Sequence, residues 1–274
     1  MAFSTGGRIN TNISANQAYT ALNTISRELG IHQLRLSTGK RINSSSDDAS
    51  GYVISKKMEG RARAMTSAVD NVGDAVSLYG VAEGGYQSIA DILTTVKEKQ
   101  ARATNGAMGS DELDAIASEL NSMMTEIDDI VAQTKFNGVA LLSGAYTSSF
   151  QVGETSSESL AVTFSSSVGA AALLGVAAGS VTSANITSLT ADAGLTTVNA
   201  EIGKIGANVN RLQTKESNLT TAIINTEAAK SRIWDADVAK EQVQVSKLQI
   251  LQQTATAQLS QANSSPQNFL SLFR

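Results

Sequence analysis

One long stretch decides the fold, residues 52–100, which reads YVISKKMEGRARAMTSAVDNVGDAVSLYGVAEGGYQSIADILTTVKEKQ. Apolar residues recur in it at steps of three, four or seven, which is the spacing of a helix stripe and not of a strand. They are Met58, Met65, Val69, Val72, Val76, Tyr79, Ala82, Tyr86, Ile89, Leu93 and Val96. At 1.5 Å per residue this stripe alone spans roughly 60 Å. Such a helix cannot cover its own apolar face, so we expect other long helices alongside it, from this chain or from neighbouring chains.

A shorter amphipathic helix precedes this stretch. Its apolar face carries Ala18, Leu22, Ile25 and Leu29, and the residues STGK at 37–40 interrupt the pattern. The run SSSDD at 44–48 then offers N-cap residues and an acidic first turn for the long helix. We therefore place the boundary between the two helices near residues 37–46.

Three further helices are predicted after residue 100. Asn105 and Gly106 form a turn, and Ser110, Asp111 and Glu112 begin a helix that should fold back antiparallel. Its stripe is Leu113, Ile116, Leu120, Met123, Ile127 and Ile130, and residues 135–138 (KFNG) end it. A long stripe returns at Leu195, Val198, Ile202, Ile205, Val209, Leu212, Leu219, Ile223 and Ile233, and a last one at Val238, Val245, Leu248, Leu251, Ala255, Leu259 and Ala262.

The middle of the chain predicts a small β insert. Apolar residues alternate at Phe150 and Val152, and again at Leu160, Val162 and Phe164. This pattern is typical of two strands, with residues 153–159 as the turn of a β-hairpin. Residues 165–190 are rich in Ser, Ala, Gly and Thr with almost no charge, so we interpret them as an exposed loop with at most one short helical turn. The fold class is therefore mainly α, a long antiparallel helical bundle or coiled coil built from both chain ends, with a small β-hairpin insert.

Composition excludes several classes of partner. The chain has 21 Lys and Arg against 25 Asp and Glu, for a net charge of -4, and it lacks the basic bias that binds nucleic acid or anionic lipid. It contains no Cys, so disulfide and thiolate chemistry are excluded. The longest apolar run, residues 168–178, is too short to span a bilayer. The first 30 residues contain no continuous apolar core, so we expect no cleaved signal peptide: such a protein stays in the cytosol or leaves by a route that reads an uncleaved terminus.

The candidate catalytic and metal-binding residues are few. Acidic clusters occur at Asp47 and Asp48, at residues 111–114 and at Asp128 and Asp129, but helix starts favour acids and no spacing matches a calcium loop. His32 is the only imidazole, so a zinc site or a catalytic triad lacks its partners, and we interpret it as a surface or interface residue. We therefore predict no cofactor, no metal site and no enzymatic activity.

Several motifs resemble bacterial flagellin. The longest is LRLSTGKRINSSSDDASG at 34–51, followed by TKFNG at 134–138 and FQVG at 150–153. The second half adds SRI at 231–233 with DAD at 235–237, then QAN at 261–263, PQ at 266–267 and the closing Leu270, Leu272 and Arg274. The matches cover residues 1–165 and 195–274 in the family's order, and they depart only at 165–190, where many flagellins carry large surface domains.

The resemblance implies a subunit that stacks head to tail into a hollow helical filament turned by a rotary motor. It implies an inner-tube domain from residues 1–42 and 235–274 and an outer-tube domain from 43–234, with the hairpin at about 139–165 and a short variable loop at about 166–190. Its partners are other copies of the chain, the flagellar export apparatus, a secretion chaperone, and the filament cap and hook-junction proteins. A head-to-tail contact between copies of the chain that does not close into a ring gives an open helical polymer. The assembly-interface residues that we predict are Leu22, Ile25, Leu29, Val245, Leu248, Leu251, Leu259, Phe269, Leu270 and Leu272.

A second consequence of the resemblance concerns the animal innate-immune receptor for flagellin. Recognised flagellins carry the pattern Gln-Arg-Val-Arg-Glu-Leu on the outer-tube helix, and here it aligns with TTVKEK at 94–99. An Arg is thus replaced by Thr95 and a Leu by Lys99, while the family's pairing glutamate is kept as Glu119.

The alternative to a flagellin is a hook–filament junction protein, which has similar ends and less of the central signature, and an enzyme is a distant third.

Overall fold

The computed structural model describes residues 11–144, 146–164 and 168–271, and the side chains of 266–271 lie outside this description. The chain divides into two compact units, unit 1 (Met1–Gly60 and Thr226–Arg274) and unit 2 (Arg61–Asn225). The helices are α1 (Ile13–Thr38), α2 (Ala49–Ala103), α3 (Ser110–Gln133), α4 (Ala170–Leu174), α5 (Ala191–Trp234) and α6 (Val238–Ser271). The strands are β1 (Lys135–Phe136), β2 (Val139–Ala140), β3 (Tyr146–Gln151) and β4 (Ser159–Phe164). The predicted fold class is confirmed.

The stripe of α2 forms the centre of the unit 2 core, as its periodicity predicts. Val72, Ala82, Tyr86, Ile89 and Leu93 are completely buried. Against them pack the faces of α3 and α5 that carry Leu120, Met124, Ile127, Val198 and Leu212.

Contacts along α2 show that both α3 and α5 run antiparallel to it. Lys99 pairs with Glu119 of α3, and the site of Gly85 lies against Thr134, just beyond the end of α3. On the other side Lys97 pairs with Asp192 at the start of α5, whereas Asn208 lies beside the hydroxyl of Tyr79. The predicted return of the second helix is therefore confirmed.

The predicted hairpin is present, and a second, shorter one was missed. Strands β3 and β4 pair antiparallel, with Phe150 opposite Leu160 and Tyr146 opposite Phe164. The KFNG stretch does more than end α3, because Phe136 pairs with Val139 across a two-residue turn. Asn137 and Gly138 have φ of 49° and 81°, which is the left-handed geometry of the tight hairpin turns that Asn-Gly favours.

The interpretation of residues 165–190 as an exposed loop is wrong. The apolar side chains of this segment join the core of unit 2. The buried ones are Val168, Ala170, Leu173, Leu174, Val181, Ile186 and Leu189. Polar contacts fasten it as well: Asp128 accepts from the backbone N–H of Ala170 at 2.8 Å, and Asn121 exchanges two hydrogen bonds with the backbone of Val181 at 2.9 and 3.0 Å. The segment is therefore a cap over the core, with α4 and a single 3-10 turn at Ile186–Ser188.

In unit 1, α1 pairs with α6. Asn12 contacts Ala262, Ser26 contacts Gln252 and His32 contacts Glu241, so the two helices run antiparallel. Their shared apolar cluster is small, with Leu29, Val245 and Leu248 buried and Ile25 packed against them.

The ends of α1 and α2 follow from their sequence. Gly39 has φ of 68° and ends α1 in the left-handed conformation that glycine adopts without strain. The carboxylate of Asp48 accepts from the backbone N–H of Gly51 at 2.8 Å, which satisfies a free donor in the first turn of α2.

None of the helices in the described part of the chain combines the length and apolarity needed to cross a membrane.

Candidate assembly surfaces

The predicted assembly residues differ in how far they are covered within one chain. Ile25, Leu29, Val245 and Leu248 contact one another between α1 and α6, so within one chain they already cover each other. Leu22 and Leu259 are half-buried, and Leu251 is 39% exposed. Phe269 and Leu270 lie in α6 with side chains outside the described set, and Leu272 lies outside the described residues.

A second apolar face, absent from the predicted set, points away from the α1–α6 contact. On α6 it includes Val243, which is 65% exposed, and Ile250, which is 64% exposed. These two residues are seven positions apart and so lie on one helix face, with Leu251 adjacent. On α1 the exposed apolar residues are Ile13, Tyr19, Ile31 and Leu34. We call Val243 and Ile250 the outer apolar face of α6.

The outer apolar face is present in the sequence of α6, but a search for one apolar stripe per helix misses it. Helix α6 is apolar at Val245 and Leu248 on its inner side and at Val243 and Ile250 on its outer side. A helix that is apolar on two sides is typical of one that is buried all round. Unit 1 alone covers the inner side, which leaves the outer side available to another chain.

The α1–α2 connection and the α5–α6 junction form one clamp in unit 1. The guanidinium of Arg41 donates twice to the carbonyl of Ile233, at 2.7 and 3.1 Å, and its backbone N–H donates to Trp234 at 2.8 Å. These carbonyls stand in the last turn of α5, where helix carbonyls lack donors of their own. Lys40 also forms an antiparallel bridge with Asp235. Two motifs nearly 200 residues apart in sequence are thereby joined.

Trp234 packs inside this clamp. Its ring lies 5.4 Å from the ring of Tyr52, and the ammonium groups of Lys40 and Lys56 lie 5.8 and 5.6 Å from its centroid. Both distances are within the range of a cation–π contact. The single tryptophan is therefore a built-in reporter of the clamp.

The acidic pair of the signature has a structural role. Asp47 accepts hydrogen bonds from the backbone N–H groups of Ser44 and Asn43, at 2.8 and 3.0 Å, and these hold the pKa of its carboxyl below the usual value. The backbone N–H of Gly51 does the same for the pKa of Asp48. Both carboxylates thus fix the turn before α2 in their ionised form.

The three receptor-motif positions lie at the end of α2 and on α3 in unit 2. The ammonium of Lys99 lies 2.5 Å from a carboxylate oxygen of Glu119, and 24% of the Lys99 side chain is exposed. Thr95 stands one turn earlier, with its hydroxyl donating to the carbonyl of Asp91 at 3.1 Å. The structure therefore brings Lys99 and Glu119 together and leaves Thr95 bonded to its own helix.

His32 lies between α1 and α6 within one chain. Its Nδ1 contacts a carboxylate oxygen of Glu241, and Arg35 lies 3.9 Å from the other oxygen. Glu241 is buried, with 9% of the residue exposed. In the described residues no group of three His, Asp or Glu side chains could hold a metal ion.

In unit 2, burial and the nearby carboxylate of Glu201 raise the pKa of the Tyr86 hydroxyl to about 12. The phenol therefore stays neutral in the core over the physiological range.

Comparisons with known proteins agree with these motifs. Residues 9–147 match the family model for the bacterial flagellin N-terminal helical region, and residues 189–273 match that for the C-terminal helical region. The chain is 32% identical to flagellin FlaB1 of Treponema pallidum (strain Nichols), over 97% of this chain and 99% of the relative. It is 34% identical to the flagellin of Bacillus subtilis (strain 168), over 97% of this chain and 100% of the relative.

A solved structure adds a likeness of fold alone. It is a Vibrio parahaemolyticus protein provisionally assigned as a flagellar hook-associated protein, with a TM-score of 0.57 and 14% identity. The match covers 69% of this chain and all of the other. Because both end regions match and the relatives align over nearly their full length, the chain belongs to the bacterial flagellin family.

Proposed function

We propose that this chain is a structural subunit of the bacterial flagellar filament, polymerises head to tail with copies of itself into a hollow helical tube, and serves swimming motility. One observation carries the proposal: α1 and α6 come from the two family-matched end regions and pair with each other while leaving the outer apolar face uncovered. The curated relatives are flagellins, which favours a filament subunit over a hook–filament junction protein. Family membership also supports a structural role without catalysis.

The domain roles are part of the same proposal. Residues 1–42 and 235–274 form the inner tube, and residues 43–234 form the outer tube with the hairpin and the 166–190 segment. The pairing of α1 with α6 supports an inner tube made from both chain ends. The buried apolar residues of 168–190 belong to the core of unit 2 and not to a core of their own, which favours a thin filament with a smooth surface.

Electron microscopy of the purified, concentrated full-length protein tests this function. We expect helical tubes from the unaltered chain and none from the variant Val243→Glu/Ile250→Glu, because two carboxylates would be buried without partners on the outer apolar face. The matched control is Gln242→Glu/Gln249→Glu, which adds the same two charges, also seven positions apart, at exposed polar positions of α6. Absence of tubes from the unaltered chain, or normal tubes from the double variant, would contradict the proposal.

Export and its partners follow from the same role. We propose that the chain leaves the cell through the flagellar export apparatus with its amino terminus uncleaved, is accompanied by a secretion chaperone, and meets the filament cap and hook-junction proteins outside the cell. Intact-mass measurement of the protein from sheared filaments tests this. A mass that lacks an amino-terminal segment would overturn the uncleaved route.

Weak recognition by the innate-immune receptor for flagellin is a separate proposal. Loss of a buried Arg anchor costs about 2 kcal/mol, and burial of an unpaired Lys adds a penalty of similar size. We therefore expect roughly a thousandfold weaker recognition than with the family pattern. Lys99 is already held by Glu119, so a receptor would have to break this ion pair.

A reporter-cell assay tests this proposal. The double variant Thr95→Arg/Lys99→Leu should gain potency, whereas the control Thr94→Arg/Lys99→Leu, with the Arg one position away, should not. Full potency of the unaltered protein would refute the proposal.

A further inference from the structure

The only proline of the chain, Pro266, lies inside α6 (Val238–Ser271). A proline has no backbone N–H, so the carbonyl four residues earlier loses its donor within the helix. That carbonyl belongs to Ala262. The side-chain amide of Asn12 donates to it, with Nδ2 2.7 Å from the oxygen. We propose that Asn12 and Pro266 together set the register in which α1 pairs with α6, a role that goes beyond filament assembly itself.

Apolar packing by itself leaves this register weakly defined. The shared cluster of α1 and α6 has Leu29, Val245 and Leu248 as its buried members among the described residues. So few buried side chains discriminate only weakly between this register and one that is shifted by one turn of α6. In such a pair a polar contact, and not the apolar seam, selects one register.

The carbonyl of Ala262 is a specific acceptor even though it belongs to the backbone. Other carbonyls in the interior of a helix already accept from the N–H four residues further on. The proline frees one of them, so the amide of Asn12 finds an unused acceptor in only one register. A slip of one turn would move it by about 5.4 Å, beyond hydrogen-bond reach.

The other end of the α1–α6 pair agrees with the same register. Glu241 is buried, and His32 and Arg35 of α1 hold its two carboxylate oxygens. A slipped α6 would leave this carboxylate buried without its partners, which is unfavourable. Polar contacts at both ends thus support one alignment of the same two helices.

Asn12 has a second role that the test must separate. Its Oδ1 accepts from the backbone N–H of Ala15 at 3.0 Å and caps α1. Asn12→Asp keeps the capping oxygen and removes the amide donor, so it addresses the contact with Ala262. Asn16→Asp is the matched control, because it adds the same charge at an exposed position in the first turn of α1.

Cysteine cross-linking with a short bifunctional thiol reagent in the full-length chain reads the register, since the chain has no native Cys. The Oγ of Ser26 lies 3.4 Å from Nε2 of Gln252, so the two residues face each other, and cross-linking of Ser26→Cys/Gln252→Cys reports the observed register. Ser26→Cys/Thr256→Cys reports a slip of about one turn. Cross-links within one chain are separated from cross-links between chains by mass. Cross-linking is measured in the concentrated protein, and electron microscopy of the same sample shows whether tubes have formed. A failure to form tubes counts against the proposed function, whereas the ratio of the two products tests the register.

We expect the observed-register product to dominate, and Asn12→Asp to lower the ratio of observed to slipped product about tenfold, the factor for leaving one carbonyl without its donor. Asn16→Asp should leave the ratio unchanged. In the Pro266→Ala background the carbonyl regains its helical donor, so Asn12→Asp should change the ratio less than twofold. An unchanged ratio in Asn12→Asp, or an equal fall in both backgrounds, would overturn the proposal.

Discussion

Unit 2 and the α1–α6 pair of unit 1 are both helical, but they differ in how much apolar surface they bury within one chain. Unit 2 encloses Tyr86, Leu93, Leu120 and Met124 completely, under a cap formed by residues 168–190. The α1–α6 pair shares a cluster with Leu29, Val245 and Leu248 buried among the described residues, whereas Val243 and Ile250 of α6 are 65% and 64% exposed. Helices with so small a shared core are marginal in water. We therefore expect unit 2 to fold alone, and α1 and α6 to be completed by other copies of the chain.

The largest expected effect comes from removing the last ten residues, 265–274. We expect polymerisation to be abolished, because apolar residues at the end of such a chain typically form an interface. Unit 2 should keep its thermal unfolding midpoint, measured by circular dichroism at 222 nm. Normal filaments from the trimmed chain would remove the basis for assigning the end to assembly.

Hydrogen exchange in dilute monomer compares the two regions residue by residue. We expect the ends, residues 1 to about 40 and about 235 to 274, to be disordered in the monomer, so amides of α1 and α6 should exchange at close to unprotected rates. Amides of α2 and α3 in unit 2 should exchange at least roughly a thousandfold more slowly. In filaments both regions should be protected. Equal protection of both regions in the monomer would contradict the comparison.

Two matched leucine-to-alanine variants measure how much unit 2 and α6 each contribute to the stability of the monomer. Leu120→Ala removes a completely buried side chain from unit 2 and should lower the free energy of unfolding of the monomer by about 3 kcal/mol. Leu248→Ala, in α6, should change it by less than about 0.5 kcal/mol and weaken polymerisation instead. Urea unfolding of the monomer and the critical concentration for assembly measure the two effects. A similar loss of monomer stability in both variants would show that α6 is already folded.

The smallest expected effect is a difference in unfolding free energy between alanine variants at two adjacent glycines of α2 in unit 2. A Cβ at Gly84 meets open space, whereas one at Gly85 would lie 2.8 Å from Leu142 Cδ1 and from Thr134 Oγ1. Gly84→Ala should therefore stabilise unit 2 by up to about 1 kcal/mol, the gain in helix propensity. Gly85→Ala should destabilise it by about 1 kcal/mol, because overpacking exceeds that gain. Urea unfolding of the two variants should give opposite signs; equal signs would mean that α2 does not approach residues 134–142 so closely.

The glycines also show where sequence reasoning stops. The five glycines within residues 52–100 of the long helix, Gly60, Gly73, Gly80, Gly84 and Gly85, look alike in the sequence, and their cost in helix propensity suggests either close contacts or ordinary surface positions. The structure gives close contact at Gly85 and open space at the other four. Which face of a helix meets a neighbour is not written in the local spacing, because it depends on where the neighbour packs.

What the sequence determined by itself is the set of long helices, the β3–β4 hairpin and the family. Helix and strand periodicities of 3.6 and 2 residues are local properties, so the stripe of α2 and the alternation at 150–164 could be recognised without knowledge of any tertiary contact. The flagellin motifs were legible for the same reason, since each lies within a short run of residues.

The tertiary structure decided the features that depend on distant residues. Residues 168–190 show no helix or strand periodicity. They form a cap because Leu173, Val181 and Ile186 pack against apolar side chains of unit 2. The β1–β2 hairpin has only two residues in each strand, too few for alternation to show. Asn12 and Ala262 are 250 residues apart, and no spacing rule connects them. Side-chain periodicity records which face of an element is apolar, whereas the choice of partner for that face is made only when the whole chain packs.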